Sequence, residues 1–168
     1  MEDQEHVTLI KVSTNASQYF VDSYFAALNG RQNTIASFYM PPASMPGGSL
    51  PSISFNGTQI PTAAEMQTMF EQQIPQPHYE VQCYDCHVVN PNYISEGTQA
   101  RPAKTGKNMT ILVAVSGYVK YGNPKEAQPR AFSESFLLVP NPAAAAGQQR
   151  MKNVKEWLIQ TQTFRIVV

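Results

Sequence analysis

The chain has 168 residues, enough for one domain with a substantial core. Its 12 Lys and Arg balance 12 Asp and Glu, which argues against a protein whose main task is gripping nucleic acid, since phosphate binding needs a basic surface. Charged residues are only 14% of the chain and prolines number 13, a composition that points to long ordered loops and a contact surface covered by another molecule.

The acidic start, Met1 to Glu5, lacks the basic and apolar regions of a secretory signal, and no apolar run is long enough for a membrane span. Two cysteines without such a signal imply free thiols in a reducing compartment. Val7 to Leu28 reads as a helix, with Phe20, Val21, Tyr24, Phe25 and Leu28 at helical spacing and Asn29-Gly30 as its stop. A short helix near Gln32 to Phe38 follows, ended by Pro41-Pro42. Pro41 to Pro51 reads as loop, Ile53 to Phe55 as a short strand and Asn56-Gly57 as a turn. Thr62 with Glu65 three residues on forms a capping box for a helix reaching about Gln73, its buried side being Met66, Met69, Phe70 and Ile74.

Strands then take over. The sequence predicts them at Tyr79 to Val89, Met109 to Tyr121, Arg130 to Val139 and Glu156 to Val167. The strongest is Met109 to Tyr121, rich in β-branched residues. Alternation puts Ile111, Val113, Val115 and Val119 on a core face, and Thr110, Leu112, Ala114, Ser116 and Tyr118 on a mixed face that is only half apolar. Helices first and long strands last indicate an α+β fold with a largely antiparallel sheet, one side of which is left free by the helices. Pro91 to Lys107 is a long polar loop, and Pro140 to Gly147 a low-complexity linker with four consecutive alanines.

Cys83-Tyr84-Asp85-Cys86 is a CxxC, but on a strand positions three apart face opposite ways, so it reads as two ordinary buried thiols, neither redox pair nor zinc site. Basic residues gather weakly in two insertions: Arg101, Lys104 and Lys107 in the first, Pro91 to Lys107, and Arg150, Lys152 and Lys155 in the second, which runs from Pro140 to Lys155. They are solvated loop charge or a contact for RNA or ribonucleoprotein cargo.

The order of pieces resembles the nuclear transport factor 2 family over roughly Ser17 to Val168. The likeness is carried by Phe20-x-x-x-Tyr24-x-x-x-Leu28, Arg31, Ile35 and Phe38-Tyr39; then Phe55-Asn56-Gly57-x-x-Ile60, Met69-Phe70 and Ile74-Pro75. It continues in Val81-x-x-x-Asp85, Ile111-x-Val113-x-Val115-x-Gly117, Phe132-x-x-x-Phe136-Leu137-Leu138 and Trp157 to Arg165. Loop insertions near 90–108 and 140–155 set the chain apart from the compact homodimeric members and make it more similar to the small subunits of messenger-RNA export receptors.

The resemblance implies a single cone-shaped domain, with N-terminal helices packed on a curved, mainly antiparallel sheet. It implies a non-enzymatic adaptor that forms a heterodimer with the similar domain of a large mRNA export-receptor subunit and supports binding of Phe-Gly nucleoporins at the nuclear pore. No cofactor, metal or membrane contact is implied; the localisation would be nucleus, pore and cytoplasm, by shuttling. The partner-facing positions that match are Leu112, Ala114 and Ser116, then Ser133, Ser135 and Leu137, then Thr161, Thr163 and Arg165. Arg165 would offer a bidentate contact to a partner carboxylate.

The opposite register, Phe132, Glu134, Phe136 and Leu138 with Leu158, Gln160, Gln162, Phe164 and Ile166, is the concave lining, where Glu134, Gln160 and Gln162 are unusual polar residues. The same fold houses isomerases and dehydratases. An enzyme here would use Asp85 or Glu134 as base and Tyr24, Tyr39 or His87 as proton donor. The structural alternative is a polar network. A third reading is a homodimeric transport factor that carries a small GTPase.

Overall fold

The computed structural model describes residues 2–44, 46–93, 106–145 and 154–167. Helix α1, Glu2–Gly30, begins five residues before the apolar pattern does, on acidic residues that suit a helix N-terminus. Its buried stripe, Ser13, Ser17, Phe20, Val21, Tyr24, Phe25, Ala27 and Leu28, keeps helical spacing and lies over the sheet. A 3₁₀ turn at Gln32–Phe38 buries Ile35 and Phe38.

Strand β1, Ser52–Phe55, turns through Asn56 and Gly57, both at positive φ, into β2, Thr58–Ile60. Two such residues in succession give a hairpin turn whose twist matches its strands. Helix α2, Ala63–Thr68, is capped by the Thr62 hydroxyl accepting from the Glu65 amide at 3.1 Å, and Met69–Gln73 continues it as a π-turn before the chain extends.

The long strands are β3, Pro77–Asn90; β4, Thr110–Tyr121; β5, Arg130–Pro140; and β6, Trp157–Ile166. The linker after β5 contains a short helical turn, α3, Pro142–Ala145. The sheet order is β2-β1-β6-β5-β4-β3, antiparallel throughout except that β1 runs parallel to β6. Fold class and curved, mainly antiparallel sheet are as expected from the sequence.

One core fills the space between α1 and the sheet. Tyr24, Phe132, Phe136, Phe164, Ile111 and Leu138 are fully enclosed there. Aromatic rings dominate it: Phe20 meets Phe136 edge to face with centroids 4.8 Å apart, and Phe55 stacks on Phe164 at 4.6 Å. Among the described residues no helix is long and apolar enough to cross a membrane.

Three register shifts interrupt the simple alternation, and two of them bear on the site. Leu137 pairs with Thr161 but Leu138 pairs with Ile159, so Gln160 is an extra residue in β6. The bulge turns Ile159 into the main core, and Leu158 goes instead to a second small cluster with Met40 and Val139. Leu158 and Gln160 therefore do not share the concave register with Gln162. The second shift is at Gln82 in β3, beside Gly117, where the strands come so close that a Cβ on Gly117 would stand 2.0 Å from the Glu80 carbonyl oxygen.

Candidate functional site

The nine residues of the expected partner face fall on one side of the sheet, in register. Leu112, Leu137 and Thr161 form one cross-strand row; Ala114, Ser135 and Thr163 the next; Ser116, Ser133 and Arg165 the third. All nine are exposed or half-exposed, while the residues between them in sequence, Val113, Val115, Glu134, Phe136 and Gln162, are buried. Small side chains cover the middle row, so a second sheet can approach this face closely. Leu112 and Tyr118 are the large apolar groups on its β4 strand, 37% and 48% exposed.

The rows are longer than sequence alone indicated. Parallel pairing of β1 with β6 adds Ser52 beside Thr161 and Ser54 beside Thr163. On the other flank, β3 adds His87 beside Leu112, Asp85 beside Ala114 and Cys83 beside Ser116. Alternation in β3 shows that Cys83, Asp85 and His87 share a face; their alignment with β4 depends on the Gln82 bulge, which no local pattern reveals.

Two charge features mark the patch. Arg165 is exposed at one corner, its guanidinium passing over the hairpin turn 3.9 Å from where a Cβ of Gly57 would stand, and it makes no ion pair among the described residues. At the far edge Asp85 Oδ2 lies 3.2 Å from His87 Nε2, both side chains largely exposed. Cys83 is exposed, its Sγ 2.9 Å from the Ser116 hydroxyl, whereas Cys86 is half-buried. The two thiols thus point to opposite faces as expected, but Cys83 is not a buried thiol, because β3 is the edge strand and this face carries no helix.

Beneath the patch lies a closed polar cluster. Gln162 Nε2 donates to Glu134 Oε1 at 2.6 Å and to the Tyr24 hydroxyl at 2.8 Å, and Gln162 Oε1 accepts from the Tyr39 hydroxyl. The two tyrosine oxygens are 3.1 Å apart, and because Tyr39 gives its proton to Gln162, Tyr24 donates to Tyr39. Every hydrogen-bonding group of the Gln162 amide is engaged. Glu134 Oε2 is buried without a partner among the described residues. Burial pushes the Glu134 carboxyl up to about 8, with the Gln162 hydrogen bond opposing, and burial raises both tyrosines.

The five groups considered for acid–base chemistry are not brought together. Tyr24, Tyr39 and Glu134 meet in the interior, at 0 to 3% exposure, whereas Asp85 and His87 sit on the outer sheet face. Glu134 is 3% exposed and is enclosed together with Gln162 and the two tyrosines.

Of the loop cations, Arg101, Lys104, Arg150 and Lys152 lie outside the described residues. Lys107 pairs with Glu156 at 2.9 Å, and Lys155 lies over the Phe38 ring, 4.5 Å from its centroid. The structure brings these two lysines to the lining of one cleft.

The model of the nuclear transport factor 2 (NTF2) domain matches residues 16–165. NTF2-related export protein 2 of Bos taurus is 25% identical over 161 residues, covering 96% of this chain and 92% of its own. A chain of the solved complex of a Sac3N peptide with Mex67:Mtr2 superposes with a TM-score of 0.78 at 23% identity, covering 92% of this chain and 99% of that one. A chain of the Chaetomium thermophilum Mex67 NTF2-like domain in complex with Mtr2 gives 0.76 at 24% identity, covering 92% and 98%.

Proposed function

The chain belongs to the nuclear transport factor 2 family, and from that premise we propose that it is the non-enzymatic adaptor subunit of a nuclear mRNA export heterodimer. The observation that carries this reading is the three-row array of exposed or half-exposed side chains in register across β4, β5 and β6, mostly small and all uncharged except Arg165. Burying such a face against a second sheet removes its apolar surface from water, its Ser and Thr hydroxyls requiring hydrogen-bond partners across the joint, and shape complementarity sets the fit. Arg165, without an ion-pair partner among the described residues, is the charged group of the β6 row and fits a partner carboxylate bidentately.

The partner is the similar domain of a large export-receptor subunit. The pair, not this subunit alone, supports Phe-Gly nucleoporin binding and shuttles between nucleus and cytoplasm through the pore. The relatives' names speak of export proteins and of a Mex67:Mtr2 assembly, which accords with this reading. The mechanism is association with no covalent step, and the enclosure of Glu134 is the observation that disfavours an isomerase or dehydratase.

Co-expression with a candidate export-receptor domain, followed by mass measurement in solution, tests the proposal. A one-to-one complex lost on Arg165→Ala combined with Ala114→Glu is expected. A homodimer that excludes the partner supports a transport factor of the homodimeric kind, and a stable monomer indifferent to the partner overturns the adaptor reading.

A further inference from the structure

A cleft of about 420 Å³ lies between α1, the turn Gln32–Phe38 and the start of β6. Val12, Ala16, Phe20, Phe38 and Trp157 give it a mainly apolar wall, interrupted by Asn15 and Ser23, and Tyr19 also lines it, 69% exposed. The volume falls in the range that holds ligand groups, about 300–1,000 Å³. None of the nine sheet-face residues lines it, so it does not depend on the dimer reading.

The polar end of the cleft carries an uneven charge. Lys107 pairs with Glu156, but Lys155 pairs with no carboxylate among the described residues. Its ammonium donates to the Ser37 hydroxyl at 3.0 Å and stands on the face of Phe38. Partial burial lowers its pKa, the direction expected of a cation short of compensation. An incoming carboxylate would supply that compensation through a charge-assisted hydrogen bond.

We propose that this cleft docks a short segment of a partner protein that inserts apolar side chains between Tyr19 and Trp157 and places one carboxylate on Lys155. Recognition of an amphipathic segment by an apolar groove with a single charged anchor follows from this lining. Polyphosphate is disfavoured: nucleic-acid affinity rises with the number of phosphates neutralised, and one of the two lysines here is already matched by Glu156.

Selection of a displayed library of random 16-residue peptides against the full chain, co-purified with its partner where it has one, tests this. Expected is enrichment of sequences with two bulky apolar residues and an Asp or Glu nearby. Their binding should weaken about tenfold with Lys155→Met and also with Tyr19→Ala, and should survive excess oligo-uridine RNA. Lys155→Met keeps the stem that packs on Phe38, and Tyr19 is exposed, so both variants should remain folded. No enrichment, selected Phe-Gly peptides without a carboxylate that ignore Lys155→Met, or displacement by the RNA would each overturn the proposal.

Discussion

Gln162 on β6 donates to Glu134 on β5 at 2.6 Å, and this bond ties the two strands together on the buried side of the sheet. Glu134 points into the core while its neighbours Ser133 and Ser135 stand on the outer patch. One strand thus carries both the buried carboxyl and two residues of the exposed patch.

The Glu134 carboxyl gives a pH dependence of definite sign. Its pKa is about 8 in the folded chain against an ordinary value of 4.5, with burial as the cause. Below the ordinary value both folded and unfolded chains hold the proton and the contribution to stability is full. Between the two values only the folded chain holds it, so stability falls as pH rises, by about 1.4 kcal/mol per pH unit. Above about 8 both states are ionised and the loss is complete. Urea melts from pH 5 to pH 9 should show this decline, and Glu134→Gln should flatten that part of it and be the more stable chain at the alkaline end. A variant with the same pH slope as the parent would mean that Glu134 does not carry the proton.

The outer patch predicts a separation of folding from pairing. Ser135 has Ala114 and Thr163 as its cross-strand neighbours and is half-exposed, so Ser135→Glu should leave the melting temperature of the isolated chain within a few degrees. Buried at a joint, the same carboxylate is unpaired and costs about 3–5 kcal/mol. If the chain pairs through this patch as proposed, the dissociation constant of that heterodimer should therefore rise by about 100-fold or more, measured by calorimetric titration. A pairing affinity unchanged by Ser135→Glu would place the partner elsewhere.

Much of this patch was legible because a strand with one buried face writes its period into the sequence. Ile111, Val113 and Val115 alternate with Leu112, Ala114 and Ser116, and burial follows that alternation. What local pattern could not supply was pairing between distant strands. Ser52 and Ser54 join the face only through the parallel contact of β1 with β6, and the Gln160 bulge, which sends Ile159 inward, leaves no mark in composition. The cluster under the patch shows the same limit: Glu134 and Gln162 stood out as polar residues on an apolar lining, but Tyr39 reaches Gln162 across 123 residues of chain. Lys155 read as loop charge because its place over Phe38 depends on where β6 starts beside α1.

Gly117 belongs to the core register of β4, where a larger residue would be the natural expectation. It faces Val81 at the Gln82 bulge, and a Cβ there would also stand 3.0 Å from the Val81 Cα. The obstructing atoms are backbone, which cannot swing aside. Gly117→Ala should force β3 away from β4 and cost about 2–3 kcal/mol in urea unfolding. A neutral outcome would show that β3 shifts freely at the bulge.

The edge of the sheet is protected by a side chain that imitates a strand. Asn29, near the end of α1, donates from Nδ2 to the Tyr79 carbonyl at 3.0 Å and accepts the Tyr79 amide at Oδ1, 2.7 Å away. Together these satisfy both backbone groups that Tyr79 would otherwise offer to a foreign strand. Asn29→Ala should cost about 1–3 kcal/mol, since it leaves part-buried backbone groups short of partners. Asn29→Asp keeps the acceptor but sets a carboxylate oxygen against the Tyr79 carbonyl, so it should be no better than alanine despite its nearly identical shape. Hydrogen exchange separates a local from a global effect. Faster exchange at the Tyr79 amide, with the amides of Val113 and Val115 unchanged, is the expected signature of an opened edge. Uniform acceleration would mean instead that Asn29 holds α1 on the sheet.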